Sequence, residues 1–323
     1  MKRCFWRALL ALCCFAVATG ASAQTWPTKP LHWISPWAPG GGNDVLSRSI
    51  AAEISKTLGQ PVVVENRPGA SGVIGTDLVA KAPPDGYMLT LGAPATHATA
   101  PSMYPNLPYD PVRDFTPITL VGTVASVLVV HPSVPANTVA ELIAYLKANP
   151  GKVNYSSVGN GSMQHLSAEL FKQFAGVDIV HVPYKGTSPA LVDLTAGRIQ
   201  LAFETMPAVL PLVRSGQLKA IAVTTPKRSN LMPEIPTLDE AGLKGFDATI
   251  WYGVFGPAGM PREVTGKLNQ AIVSALRTPE LAKRLADLGA DVSAGTPAEL
   301  GDFLREQVAK WTTFIKQRGI EPN

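Results

Sequence analysis

From residue 31 onward, short runs rich in Val, Ile and Leu alternate with longer stretches whose apolar residues recur at three- and four-residue spacing. Alternation of the strand period with the helix period predicts an α/β protein with mostly parallel sheets. Leu31 to Ser35 reads as the first strand, and Val45 to Leu58 as a helix stopped by Gly59. Pro61 to Glu65 is a second strand, Ile74 to Lys81 a helix, Asp85-Gly86 a turn and Met88 to Leu91 a third strand. Thr138 to Ala148 reads as a helix with Thr138 and Glu141 at capping-box spacing. Val153 to Ser156, Ile179 to Val182, Ile199 to Phe203 and Leu218 to Val223 are expected strands, with helices over Leu166 to Phe174 and Pro189 to Ala196.

Two apolar runs stand apart by their length. Leu120 to His131, ended by Pro132 and Pro135, and Phe246 to Phe255 can each pass from one lobe into another. Helices over Arg262 to Leu276, Glu280 to Leu288 and Pro297 to Gln317 then form a tail expected to pack on the first lobe. The implied organisation is a discontinuous first domain, 24–123 and 246–323, with an inserted second domain, 124–245. Some 300 residues are more than one hydrophobic core usually serves, which favours two domains.

The N-terminus changes how composition is read. Lys2, Arg3 and Arg7 precede an apolar run and then Ala21-Ser22-Ala23, the pattern of an export signal over 1–23. All 3 cysteines, Cys4, Cys13 and Cys14, lie inside it, so the mature chain offers no disulfide and no thiolate. Subtracting the three positive charges of that segment from the formal +4 leaves +1 (4 − 3), which gives no reason to expect nucleic acid or a membrane surface as partner.

Chemistry is expected in the loops. Ser35 to Asp44 joins a strand to a helix through Gly40, Gly41 and Gly42, so backbone amides at a helix start can approach an anion. The side chains of Asn43 and Asp44 either cap that helix or reach ligand. Ser156 to His165 repeats the context in the second lobe, where Ser162 either caps the helix or binds and His165 either packs locally or binds. Two helix N-termini offered from opposite lobes suit a ligand with two acceptor ends, such as a dicarboxylate. Asn66 to Gly72, with Ala70, and Tyr184-Lys185-Gly186-Thr187 are further strand-to-helix loops whose amides can face the cleft. Arg67 is there either for ligand or for a neighbouring carboxylate. Glu204, and less firmly Thr96 with His97, stand at strand ends where such sheets bind ligands; for Glu204 a surface role is the alternative.

Pro39 to Asp44, Gly59 to Ala70, Pro84-Asp85-Gly86-Tyr87, Ser157 to Ser162 with His165-Leu166, Val182 to Gly186 and Trp251-Tyr252-Gly253 together resemble the tripartite tricarboxylate transporter solute-binding family, the Bug proteins. The resemblance implies a two-lobed type II periplasmic-binding-protein fold with crossing strands between lobes. It also implies a periplasmic protein that closes on a small carboxylate (a di- or tricarboxylate, aromatic acid or acidic amino acid) and delivers it to membrane permease subunits. Its carboxylate grip carries over to Pro36, Ala38, Gly41, Asn43, Ser157, Gly159 and Gly161. This sequence departs from the family's pattern at Ile34-Ser35-Pro36-Trp37, at Asn43-Asp44 and at Glu204, where aspartate is usual; Trp37 either narrows the pocket or stacks on an aromatic acid.

No G-x-S-x-G, S-x-x-K or H-E-x-x-H is present, and the 5 histidines show no metal-ligand spacing, so neither an enzyme nor a cofactor or metal is expected. The protein is expected to act as a monomer. The alternative to transport is a sensory co-receptor that docks, loaded, on a membrane signalling protein.

Overall fold

In chain order the elements of the computed structural model, which describes residues 26–320 apart from 185 and 288, are as follows. Strand β1 (Leu31–Ser35), helix α1 (Gly42–Leu58), β2 (Val62–Asn66), α2 (Val73–Ala80), β3 (Met88–Gly92), the short helices α3 (Pro94–His97) and α4 (Ala100–Met103), and β4 (Phe115–Val124) come first. Then come β5 (Ser126–Val130), α5 (Val139–Ala148), β6 (Asn154–Ser157), α6 (Met163–Ala175), β7 (Val180–Pro183), α7 (Thr187–Thr195), β8 (Leu201–Thr205), α8 (Met206–Arg214) and β9 (Lys219–Val223). The return is β10 (Ile250–Pro257), α9 (Arg262–Leu276), α10 (Pro279–Asp287), β11 (Ala290–Val292) and α11 (Pro297–Arg318).

Two sheets form two lobes, ordered β11-β4-β10-β3-β1-β2 and β7-β6-β8-β5-β9. They are mixed rather than mostly parallel. Pairs β1–β2, β1–β3, β6–β7 and β6–β8 are parallel, whereas β10 and β5, which follow the two passages between sheets, run antiparallel to both their neighbours. A chain that enters a sheet by crossing from another is not bound to the right-handed crossover of a βαβ unit, and here it enters against the local direction. The run from Leu120 to His131 is two strands, since β4 stays in the first sheet and β5, buried at every residue, is central in the second. Only Ala125 lies between them. Thr224 fastens this junction to the return passage: its hydroxyl accepts from the Ser126 N–H at 3.2 Å, and its carbonyl accepts from the Ala248 N–H at 3.1 Å.

Leu31, Trp33, Leu46, Ile50, Leu89, Val254, Leu268 and Ile272 form a buried core between the first sheet and α1 and α9. The helical tail therefore does pack on the first sheet. In the second sheet Val127, Val129, Ala202 and Val209 pack on one face, and Tyr155, Leu166, Phe171 and Phe203 on the other. The helix α8 has no counterpart in the sequence reading, because Pro207 and Pro211 obscure its period. The segment 1–23, read as an export signal, lies outside the described residues. Among the described residues no helix is long and apolar enough to cross a membrane.

Candidate functional site

In the first lobe, α1 begins at Gly42, three residues before the apolar period becomes visible, and its N-cap is Gly41 in extended conformation with no side-chain cap. Neither Asn43 nor Asp44 is the N-cap, which corrects one alternative of the sequence reading. Asn43 is 5% exposed; its amide donates to the Leu91 carbonyl at 2.8 Å and its Oδ1 accepts from the Ser35 hydroxyl at 3.1 Å. Asp44 is buried, yet the Arg48 guanidinium, the Gly40 N–H and the Asn66 amide hold its carboxyl below the usual range. These side chains pin the loop from behind. Val45 is the first amide of the turn with a backbone acceptor, the Gly41 carbonyl at 3.0 Å, so the N–H groups ahead of it are the unpaired donors of a helix start.

Pro36 is buried, whereas Ala38, Gly40 and Gly41 are exposed. Trp37, partly exposed, lies against Gly72, where a Cβ would stand 3.1 Å from its ring and 2.7 Å from the Thr96 methyl. With φ at +95° as well, that position requires glycine, and the loops after β1 and β2 interlock there. Ala70 sits on the same loop, exposed, with φ +47°. Arg67 pairs with Glu65 at 2.9 Å, the structural alternative weighed for it. Thr96 is fully buried, its hydroxyl engaged by Ala93 and by His97 at 2.8 Å. One residue of this lobe was missed: a Cβ on Gly42 would stand 3.5 Å from the hydroxyl of Tyr252, carried by β10. Burial pushes that phenol up to about 12, so at neutral pH it is a proton donor beside the first turn of α1. The only signal in the sequence was its place between Trp251 and Gly253.

In the second lobe, the turn from β6 into α6 is closed by its own side chains. The Ser157 hydroxyl meets His181 Nε2 at 2.6 Å and accepts from the Gly159 N–H at 3.0 Å, and Ser162 caps α6 by accepting from His165 N–H at 3.3 Å. Gly161 N–H donates to His165 Nδ1 at 3.1 Å. The amides of Gly159 and Gly161 are thus occupied within the loop, leaving the first two of α6, Met163 and Gln164, as its unpaired donors. Behind the loop three rings stack, Tyr155 on His181 at 5.0 Å and His181 on His165 at 4.3 Å. Burial pushes both imidazoles down, His181 to about 4 with His165 adding to the effect. Glu169 joins this stack to the first lobe, accepting from Tyr155 at 3.1 Å and Lys172 at 2.7 Å, with Arg318 of α11 at 3.6 Å.

Tyr184 donates its hydroxyl to Asp193 at 2.7 Å, which takes that hydroxyl away from a ligand; Gly186 caps α7 at φ +135°. Lys185 lies outside the described residues. Glu204 is 1% exposed, which rules out its surface alternative. The two lobes meet at these loops, since Met103 of α4 stands 2.9 Å from where a Cβ on Gly161 would be. Among the described residues no cluster of three or more His, Asp and Glu is placed to hold a metal ion.

Two α/β lobes, joined by two passages and turning glycine-rich helix starts to a shared boundary, define a two-lobed solute-binding protein of the periplasmic type. The chain belongs to the tripartite tricarboxylate transporter family receptors, whose family model (TctC) matches residues 46–320. It is 39% identical to protein BugT of Bordetella pertussis, over 94% of each chain. Among solved structures it is similar to Rpa4515 of R. palustris with adipate (TM-score 0.84, 38% identity, 92% of this chain and 100% of that one). It is likewise similar to MatC (Rpa3494) of Rhodopseudomonas palustris with bound malate (TM-score 0.79, 34% identity, 89% and 99%).

Proposed function

We propose that this protein, exported by its N-terminal segment and cleaved before Gln24, captures a small dicarboxylate between its lobes and hands it to the permease subunits of a tripartite tricarboxylate transporter, without a chemical step. The observation that carries this reading is the pair of helix starts at Gly42 and Met163, each with unpaired first-turn amides, on the lobe edges that meet at Met103 and Gly161. Amides at a helix start bind carboxylate through hydrogen bonds and the helix dipole together. One carboxylate is held by α1 with the Tyr252 hydroxyl beside it; the second faces α6. The adipate with Rpa4515 and the malate bound to MatC are both dicarboxylates, which supports the same ligand class here. The lobes are 24–123 with 246–323, and 124–245; the passages at Ala125 and Ala248 are where closure bends the chain.

The test is a thermal-shift screen of refolded, ligand-stripped protein against mono-, di- and tricarboxylates. A ligand at a hundredfold excess over its Kd stabilises by about 2.7 kcal/mol, a readily measured shift. A dose-dependent rise with dicarboxylates supports the reading, and no rise with any carboxylate rejects it.

A further inference from the structure

Glu204 is a carboxyl group with an unusual address. It is 1% exposed, and neither of its oxygens has a hydrogen-bond partner among the described residues. It stands at the end of β8, opposite Val127 of β5, where the first turns of three helices converge: Gln164 of α6, Thr187 of α7 and the Thr205 N–H that opens α8. These groups approach the carboxyl and favour its charge without reaching hydrogen-bond geometry, and no charged side chain of a described residue bears on it. A buried, unpaired carboxylate is costly, so such a group either takes up a proton or waits for a partner that the protein does not supply.

We propose that Glu204 enters ligand binding as the neutral acid and donates its proton to the distal carboxylate of a dicarboxylate whose other end is held at α1, so that loading of the dianion takes up one proton from solvent. This rests on the dicarboxylate reading of the site and deepens it. The first-turn amides of α6 that remain open, those of Met163 and Gln164, are donors, so this edge asks for an acceptor end. An ionised Glu204 would set two carboxylates side by side in a desolvated space, where like charges share a proton rather than both ionise. The balance is simple: one proton moves from water to Glu204, no bond to carbon changes, and the proton lies between two oxygens until release. Burial, against the opposing pull of Gln164, the Thr205 N–H and Thr187, lifts the Glu204 carboxyl to about 7 before ligand arrives, so the proton is at hand near neutral pH.

Isothermal titration of the full mature protein with adipate and with malate, at pH 6.0 to 8.5 in buffers of different ionisation enthalpy, tests this. Proton uptake should climb from near zero at pH 6 towards one per ligand at pH 8.5, with affinity falling up to tenfold per pH unit above 7. Glu204→Gln, a permanently neutral donor of similar shape, should abolish the uptake and bind at pH 8.5 at least tenfold more tightly than the native protein. Burial holds both histidines behind the loop below their ordinary value, His181 down to about 4. Binding that is flat with pH, or a Gln variant that loses affinity at every pH, overturns the inference while the dicarboxylate reading stands. Tighter binding of aspartate or glutamate as pH rises also overturns it, by showing an ionised Glu204 accepting from an ammonium group. No binding of any of these acids at any pH removes both readings together.

Discussion

The backbone N–H of Gly161 donates to Nδ1 of His165 at 3.1 Å, a bond that exists only while that nitrogen carries no proton. Its neighbour His181 stacks on the same ring at 4.3 Å and holds Ser157, so two imidazoles that cannot readily charge side by side keep the second-lobe loop in shape. A histidine whose folded pKa is depressed stabilises the fold above the unfolded value of about 6.5, and that contribution is lost as pH falls towards the folded value. With His181 pushed to about 4, thermal stability should decline from pH 6.5 to 4, with His181 contributing about 1–2 kcal/mol after allowance for its partial exposure. His181→Phe, which keeps a stacking ring and removes the titration, should be less stable at pH 7 but show a shallower decline in calorimetry. An unchanged slope would take His181 out of the acid response.

Gly41 separates binding from stability. A Cβ there meets nothing closer than the Ala38 carbonyl at 3.7 Å, so Gly41→Ala should fold normally. Gly41→Asp places a favoured N-cap residue at the start of α1, gaining a few tenths of a kcal/mol, while setting a negative charge where the ligand carboxylate binds. Calorimetry should show unchanged or higher stability and titration a hundredfold or greater loss of dicarboxylate affinity. Retained affinity would remove the α1 start from the site.

Asn43→Ala should do the reverse. The substitution leaves the Leu91 carbonyl and the Ser35 hydroxyl without their buried partner, which costs about 2–4 kcal/mol in chemical denaturation. Asn43→Asp should cost at least as much, because an acceptor replaces the amide that donates to Leu91. A loss below about 0.5 kcal/mol would mean that the loop is held by Asp44 alone.

Met103 and Gly161 report on lobe closure. Gly161→Ala brings a Cβ to 2.9 Å from Met103 Cγ and also strains a residue at φ +71°. Dicarboxylate affinity should fall tenfold or more, and Met103→Ala in the same chain should restore most of it, while the cost of the strained backbone, about 1 kcal/mol, persists in both. Additive losses in that double-mutant cycle would show that the two residues do not meet in the loaded state.

Tyr252→Phe removes one hydroxyl that lies beside the start of α1. Stability should change by less than about 0.5 kcal/mol and dicarboxylate affinity should fall about 5- to 20-fold, the value of one hydrogen bond to a charged group. Equal affinity would mean that the hydroxyl faces water in the complex.

The α/β alternation, most of the other strands to within about two residues and the tail helices were legible because each rests on a period of apolar residues that the chain carries locally, whereas β4 and β10 begin at Phe115 and Ile250 rather than at Leu120 and Phe246, and β11 was not read at all. The starts of α1 and α6 were not legible, since Gly42 and Met163 precede the first apolar repeat and only backbone bonding defines them. The antiparallel entry of β5 and β10 was equally hidden, because strand direction depends on which sheet a passing chain joins.

For the site, the sequence by itself determined that glycine-rich turns would precede helices in both lobes, since glycine spacing and strand ends are written in the order of residues. Tertiary structure alone decided which polar groups remain open. Asn43, Thr96, Ser157, Ser162 and His165 look like ligand contacts in sequence and are engaged by partners up to 48 residues away. Glu204, ambiguous in sequence, keeps both carboxyl oxygens without a partner among the described residues, and Tyr252, distant in sequence from the glycine-rich loops, brings its hydroxyl beside the start of α1. A hydrogen bond consumes a donor or acceptor wherever its partner comes from, and only folding brings the partner.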